Sequence, residues 1–344
     1  MGQDMRVKYL ATFALLISLF ACSSVAQSTK IEETENLNTK MEVNDTLSIC
    51  TFNIQFLGHF KNRKDTLLGR LLLDYDIVVI QEMVAPPVDG VYPDGTRYAL
   101  DQESANFHSV MSDNGFNYWL SKEDTGPTNN HINSSASEWW IVYYKGGVKP
   151  DTTGVEPFGF LSDTLVGSSI FKRVPYSFAF KNSDGSSSFN LISVHLNPGG
   201  STKDRSIRNT EFIGIKNWIE EERSKNCDFI ILGDCNLEDK TELLRIEQTI
   251  FESEFRSLNE DCLSTNTKMY EDSGKGKPYD HIFVNTCLTE EIVENSFHRV
   301  DLRKFLQSEG LYNDFFPYEH NYFRTRLSDH VPVEFKIILG KDLD

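Results

Sequence analysis

Cationic side chains are the scarce component of this chain of 344 residues: 34 Lys and Arg face 51 Asp and Glu, a net charge of −17. A field of that sign repels nucleic acid and anionic lipid at long range, which excludes polyanion binding by bulk attraction. Phosphate chemistry must therefore rest on a local site, with a metal ion to reverse the sign of the potential there. Cysteine is sparse too, at six residues. After Cys22 come Cys50, Cys227, Cys235, Cys262 and Cys287, an odd set at irregular spacing that is neither a disulfide framework nor a zinc site. Export would permit one bridge, with Cys262 and Cys287 the candidates because Cys50 and Cys235 lie inside apolar, strand-like runs. No internal repeat and no Gly/Pro/Ser-rich linker divides the stretch from Thr46 to Gly340, and no apolar run is long enough to span a bilayer. What is present is ordinary globular composition, 39% hydrophobic, 12% aromatic and 25% charged, which excludes a disordered, collagenous or coiled-coil chain. At roughly 150 residues per domain the length allows one large catalytic domain or two small ones.

The first residues read as an address. Arg6 and Lys8 precede an apolar run from Tyr9 to Ala21, the length of a signal h-region. Its end, LFAC, resembles the bacterial lipoprotein signal, with Phe20 a departure from the usual small residue. That resemblance implies cleavage before Cys22, lipidation of Cys22 and a membrane anchor through the N-terminal lipid. No acidic residue stands at Ser23 to signal retention on the inner membrane, so the expected location is the outer membrane, periplasm or cell surface. The alternative is an ordinary secretory signal and a secreted protein. Residues 1–21 are thus read as a signal peptide and residues 22–45, polar and acidic with almost no aromatics, as a lipidated tether. Residues 46–340 are read as one folded domain, expected to be a monomer.

Short apolar runs with β-branched or aromatic content recur at Leu47–Phe52, Ile77–Ile80, Trp139–Tyr144, Leu191–Val194, Phe229–Leu232, His281–Val284 and Val331–Ile338, and each predicts a strand. Helical spacing falls between them, at Leu67, Leu68, Leu71 and Leu72 and at Ile207, Phe212, Ile215 and Ile219. The class is mixed α and β. The segment Pro86–Ser137, rich in turn residues, reads as elaborated surface. Of Trp139 and Trp140, which alternate in a strand, at least one belongs to the core.

The runs stop at polar residues: Asn53, Glu82, His195, Asp234 with Asn236, Asp280, and Asp329 with His330. Sites in open α/β sheets form where strands end. A single polar residue there is ordinarily a cap or turn former; six such endings together point to chemistry. Glu82, Asp234 and Asp329 offer the hard oxygens that Mg²⁺ or Mn²⁺ prefers, and Ca²⁺ is admissible as an accessory ion. His195 and His330 titrate near neutral pH and suit general acid–base work. Glu138 and Asp280 are available to orient them. Asn53 and Asn236 supply neutral donors, and Arg173 can meet a phosphate oxygen. Such a set serves in-line attack of water on a phosphoester. Asn197–Gly200 with Lys203, Arg205 and Arg208, and Arg324 with Arg326, are either phosphate contacts or solvated surface.

The segments TFNIQFLG, DIVVIQE, ISVHLNP, ILGDCN, YDHIFVN and LSDHVPV, in this order over almost the whole of Leu47–Ile338, resemble the metal-dependent endonuclease/exonuclease/phosphatase superfamily and its deoxyribonuclease I-like members. The resemblance implies an α/β (α+β) four-layer sandwich of two packed β-sheets flanked by helices, with the site at one edge. By the same resemblance Glu82 binds the metal with Asn53 beside it, Asp234 orients or deprotonates the attacking water and Asn236 holds the phosphate. Asp329 completes the metal or phosphate environment, and His330 pairs with Asp280. His195 with Glu138, in NSSASEWWIVYYK, resembles the second dyad of deoxyribonuclease I, and Arg173 in FKRVP a phosphate-contacting arginine. After Glu82, however, the deoxyribonucleases place an arginine that enters the DNA minor groove, where this chain has MVAPP at 83–87. The leading expectation is a nuclease acting on extracellular DNA or RNA. An inositol-phosphate phosphatase or sphingomyelinase-type phospholipid phosphodiesterase stands as the alternative, and an inactive surface-binding protein as a third.

Overall fold

The computed structural model describes residues 46–339 apart from 126–136, 154–156, 162–169, 184, 186, 223–227 and 272–274. The signal, the tether, Cys22 and Cys227 lie outside the described residues, which belong to one compact unit. Among the described residues no helix is long and apolar enough to cross a membrane.

Strands follow in chain order as β1 (Thr46–Leu57), β2 (Ile77–Met83), β3 (Gly90–Val91), β4 (Arg97–Tyr98), β5 (Asn117–Leu120), β6 (Trp139–Tyr144), β7 (Val148–Pro150) and β8 (Gly159–Phe160). They continue as β9 (Tyr176–Asn182), β10 (Ser188–His195), β11 (Phe229–Asp234), β12 (Phe255–Ser257), β13 (Asp280–Asn285), β14 (His298–Arg299) and β15 (Val333–Ile338). Helices are α1 (Asp65–Arg70), α2 (Gln102–Asp113), α3 (Thr202–Glu222), α4 (Lys240–Arg245), α5 (Leu302–Ser308), α6 (Tyr312–Phe315) and α7 (His320–Arg326). One sheet has the order β14-β15-β1-β2-β6-β5; the other runs β12-β13-β11-β10-β9-β7, with β8 also on β9. The pairs β1–β2 and β10–β11 are parallel.

Alternation of side chains along each strand builds the layers. Leu47, Ile49, Ile77, Val79, Trp140 and Val142 face Phe178, Phe180, Leu191, Ile230, Leu232 and Ile282 in a core between the sheets. The other faces of the first sheet, carrying Cys50, Phe52, Val78, Ile80 and Trp139, are covered by α1, α2 and α5–α7 through Leu67, Phe107, Leu302, Phe315 and Phe323. Phe212, Ile215 and Ile219 of α3, spaced three and four apart, cover Ile192, Val194 and Ile231 of the second sheet. The result is helices, sheet, sheet, helices, as the sequence leads one to expect.

All seven anticipated strands are present, and Trp139 and Trp140 are both fully buried, one in each core that the first sheet faces. Two readings need correction. Pro86–Ser137 is more than surface elaboration: it supplies α2, capped by Asp101 Oδ1 on the N–H groups of Glu103 (2.8 Å) and Ser104 (3.2 Å), and β5, an edge strand. Its turn residues lie between these elements and obscured them. Cys262 and Cys287 do not bridge; both are free, and Cys287 is exposed at the turn after β13.

Candidate active site

The inward-facing positions turn from apolar to polar at one edge of the sandwich. Thr51 Oγ1 donates to Gln81 Oε1 (3.2 Å), and Gln81 Nε2 donates to Ser193 Oγ (3.0 Å), a polar chain that crosses from sheet to sheet. Beyond it lie Asn53, Glu82, Glu138, His195, Asp234 and Asp280, all buried. They sit at the C-terminal ends of β1, β2, β10 and β11 and at the start of β6 and β13, which run the other way. Gly233 makes the approach feasible: at φ 130° a Cβ there would stand 2.4 Å from the Val194 carbonyl oxygen and 3.0 Å from Gln81 Nε2.

Two bulges aim the Glu82 carboxylate. The β1–β2 register shifts between Asn53 and Leu57, and the β2–β6 register between Ile80 and Met83. Gln55, Phe56 and Glu82 take φ of 53°, 53° and 61° there, backbone that costs a non-glycine residue about 1 kcal/mol or more. Glu82 Oε1 accepts from Asn53 Nδ2 (3.0 Å), Oε2 accepts from the Phe56 N–H (3.1 Å), and the Glu82 N–H donates to Glu138 Oε2 (2.7 Å). The same Asn53 amide donates to Asp234 Oδ2 at 2.9 Å, so it ties the two carboxylates together.

Both expected imidazole pairs form. His330 Nδ1 meets Asp280 Oδ2 at 2.7 Å, and His195 Nδ1 meets Glu138 Oε2 at 3.2 Å. Their Nε2 atoms converge on one oxygen, each 3.6 Å from Asp234 Oδ2. His195 Nε2 also lies 3.7 Å from Glu82 Oε1, and His330 Nε2 4.0 Å from Asp329 Oδ1. Burial opposes charge on either ring, but Asp280 and Asp234 outweigh it at His330, whose pKa stands well above the ordinary value. At His195 burial and Arg173 are outweighed by Glu138 and Asp234, and the pKa is likewise raised. Glu138 is buried, yet His195, Arg173 and the Glu82 N–H hold its carboxyl below the usual range. Glu82 is pushed up, first by burial and then by the like charge of Asp329 and Glu138, against His195 and Asn53.

The remaining candidates are also brought to this edge. Arg173 Nε lies 3.4 Å from Glu138 Oε1, and its Nη1 is buried with no hydrogen-bond partner. Asn236 has φ 52°, its N–H donates to Asp234 Oδ1 (2.9 Å), and its amide Nδ2 donates to the Leu196 carbonyl (3.0 Å). Asp329 is the most open of the carboxylates, with 23% of its side chain exposed. Three of the other basic residues have partners of their own. Arg208 is fully buried and binds Glu242 Oε1 through Nε (2.9 Å) and Nη2 (2.6 Å), while Arg205 pairs with Glu242 and Asp239. Lys203 is exposed and Arg205 partly so, whereas Arg208 is wholly inside; the two arginines brace α3 against α4. Arg326 lies over the Tyr322 ring, 3.8 Å from its centroid.

Sequence reasoning missed the residues that brace these groups. Buried Arg63 donates to the carbonyls of Ile54, Gln55 and Leu327, joining the end of β1 to the segment before Asp329. Ser328 Oγ donates to the Asn53 carbonyl (2.8 Å) and accepts the His330 N–H (3.0 Å), and the Thr267 N–H donates to the Asp329 carbonyl (2.7 Å). The signal available was the polarity of Arg63 and Ser328 next to apolar runs, which reads equally as loop.

A divalent cation fits the donors present. Ligand atoms of Glu82, His195 and Asp234 lie within 4.8 Å of one another, as do those of Asp234, Asp280 and His330. Burial raises Glu82, so its charge calls for a counter-charge that Asn53, a neutral amide, does not provide. Oxygen-rich and anionic, the first group suits a hard ion.

Layers, strand order and the placement of this edge define the endonuclease/exonuclease/phosphatase, or deoxyribonuclease I-like, fold. Solved structures share it. An endonuclease/exonuclease/phosphatase family protein from Bacteroides thetaiotaomicron aligns over 86% of this chain and 96% of its own at 16% identity and a TM-score of 0.50. A functionally unknown conserved protein from Enterococcus faecalis aligns over 86% and 100% at 16% identity and 0.51, and TDP2 from Caenorhabditis elegans over 85% and 74% at 12% identity and 0.50. The sequence itself matches no protein-family model and no curated protein.

Proposed function

We propose that the chain is a divalent-metal-dependent phosphoesterase, and within that class a nuclease that hydrolyses phosphodiester bonds of DNA or RNA outside the cell. The observation that carries the reading is the convergence of two acid-paired imidazoles on one oxygen, with both Nε2 atoms 3.6 Å from Asp234 Oδ2. Mg²⁺ or Mn²⁺ held by Glu82, Asp234, Asn53 and Asp329 would polarise the phosphoryl oxygen and offset its charge. Asp234 orients the attacking water and accepts its proton. His330, kept protonated by Asp280, places positive charge beside the transferring phosphoryl group, and Glu138 keeps His195 in one orientation. A phosphate oxygen gives the buried Arg173 Nη1 the acceptor it lacks, and Asn236 would hold the same group.

One observation favours a second reading, a phosphatase or phospholipid phosphodiesterase. Met83, Val84 and Ala85, which follow Glu82, are apolar and buried, so no cation extends there towards a duplex groove. The test is hydrolysis of plasmid DNA, single-stranded DNA, RNA, inositol phosphates and sphingomyelin with Mg²⁺, Mn²⁺ or chelator, beside His330→Ala. Chelator- and variant-sensitive cleavage of nucleic acid supports the nuclease; cleavage of the small esters or lipid alone moves the assignment to the second reading. Inertness towards every phosphoester refutes both.

We further propose export and anchoring through lipidated Cys22, a reading that rests on the sequence of residues 1–22. Cys22→Ala should release the protein from the membrane fraction. Membrane retention of that variant, or an unmodified Cys22 by mass spectrometry, rules the anchor out.

A further inference from the structure

Two grooves outside the catalytic cluster are lined by more cations than acids. One, of about 670 Å³, is lined by Lys240, Lys268, Lys275 and Lys277 with Glu238 and Asp239. The other, of about 480 Å³, is lined by Arg299, Arg303 and Lys304 with Asp301. Together they hold seven cations and three acids, the reverse of a chain with 34 against 51. Two of the acids pair with cations of the same grooves, Glu238 with Lys277 (3.2 Å) and Asp301 with Arg303 (3.5 Å), and Asp239 pairs with Arg205 (2.9 Å). Among the described residues no carboxylate pairs with Lys268, Lys275 or Lys304.

The two grooves share a wall, and the first of them starts beside the catalytic imidazole. The turn Thr267–Tyr270 places Lys268 in the first groove and Met269 and Tyr270 in the second. Arg299 Nη1 donates to the Ser264 carbonyl (2.6 Å), and the Lys277 carbonyl accepts the N–H groups of Thr265 (2.9 Å) and Asn266 (3.1 Å), so both grooves hang on one backbone. At the inner end Asn266 bridges to His330, and the Tyr279 ring lies 5.7 Å from the His330 ring. A chain of phosphates leaving the site on this side meets cations along its length.

We propose that these grooves form a path for the phosphates of a nucleic-acid strand beyond the one being cleaved, so that the substrate is a polymer several phosphates long. The inference rests on the phosphoesterase reading and narrows it. It also resolves how an acidic protein engages a polyanion: attraction is confined to one track, while the rest of the surface repels. Neutralised phosphates release counterions, so turnover of a long strand should fall with salt more steeply than turnover of a dinucleotide.

The test measures kcat/KM of the full chain for bis(4-nitrophenyl) phosphate, a dinucleotide and a 12-residue oligonucleotide over a salt series, with Lys268→Glu/Lys304→Glu alongside. Binding of a fluorescein-labelled 12-residue strand in chelator gives a readout that does not need turnover. The expected result is at least a tenfold preference for the 12-residue strand over the dinucleotide, a preference that the double variant reduces at least tenfold, with strand binding weakened in parallel. Equal use of the two lengths, or a preference and binding constant unmoved by the variant, overturns the path. Turnover of bis(4-nitrophenyl) phosphate but of neither nucleotide substrate overturns the path and leaves the phosphoesterase standing. Inertness towards all of them removes both.

Discussion

The His330 and His195 ends of the site use the same parts to different effect. Each ring presents Nδ1 to a buried carboxylate and Nε2 to Asp234, yet the carboxylates differ. Glu138 has three partners, His195, Arg173 and the Glu82 N–H, which hold it ionised in spite of burial. Asp280 meets His330 without an arginine among the charges acting on it, and burial raises its pKa; each carboxylate leaves one buried oxygen, Glu138 Oε1 and Asp280 Oδ1, without a hydrogen-bond partner. One end is a fixed anion that ties an imidazole to an arginine and to the Glu82 backbone. The other is an Asp–His pair whose ring also faces Asp234 and Asp329, beside Asn266 and Tyr279. Similar composition therefore gives two imidazoles with raised pKa values, one on a carboxylate held ionised by an arginine and the other on a carboxylate that burial pushes up.

Asp234→Asn tests the feature that the two ends share, and it should cost most, roughly 10³–10⁴-fold in kcat with the fold intact. Near-normal turnover in a folded variant would remove Asp234 from the centre. Next come His330→Ala and His195→Ala, each expected to lower kcat by roughly 10²–10⁴-fold, the double variant falling little below the worse single one because the groups act as a unit. Strict additivity would show instead that the ends work independently. Glu138→Gln and Asp280→Asn then separate the two carboxylates. Glu138→Gln should raise KM as well as lower kcat, because it also frees Arg173, whereas Asp280→Asn should act on kcat alone; identical profiles would erase the distinction. Glu82→Gln should weaken Mn²⁺ binding by roughly tenfold or more in calorimetry, and an unchanged titration would strike Glu82 from the ligands.

The smallest effect concerns stability and a third imidazole. His281, fully buried with Nδ1 2.7 Å from Ser257 Oγ, has no acid beside it, and burial lowers its pKa to about 4. Between about 6.5 and 4 the unfolded chain binds a proton that the folded one does not, so its contribution is present at neutral pH and lost as pH falls, up to about 3 kcal/mol. Urea midpoints at pH 7 and 4.5 should differ less in His281→Phe than in the parent, and an equal difference would disprove the assignment.

Much of the site was legible because catalytic side chains stand at strand ends, where an apolar run stops on Asn53, Glu82, His195, Asp234 or Asp280. Strand alternation places Asn53, His195, Asp234 and Asp280 on the inward face without further information, whereas Glu82 gets there only through the bulge in β2. What was not legible depends on long-range closure. Arg63 reads as a loop cation until the end of β1 meets Leu327, and Lys268, Lys277 and Arg299 are scattered in sequence until one turn gathers them. The reverse error occurred with Arg205 and Arg208, whose helical context gave no sign of Glu242. Within Pro86–Ser137 the density of turn residues hid α2, although Asp101 followed by Glu103 and Ser104 is an N-cap that could have been read.

The chain from Thr51 through Gln81 to Ser193 works as a watershed. Below it side chains are interchangeable oils whose job is volume; above it each atom is assigned, and a swap of Asn for Asp changes the chemistry. Mutational drift should therefore be graded along the strands rather than between them. Within β1 or β10 a library should tolerate Leu, Ile and Val exchanges up to Ile49 and Leu191 and fail abruptly two residues later. A new specificity is accordingly easier to acquire by rewriting the loops above that divide than by repacking anything beneath it.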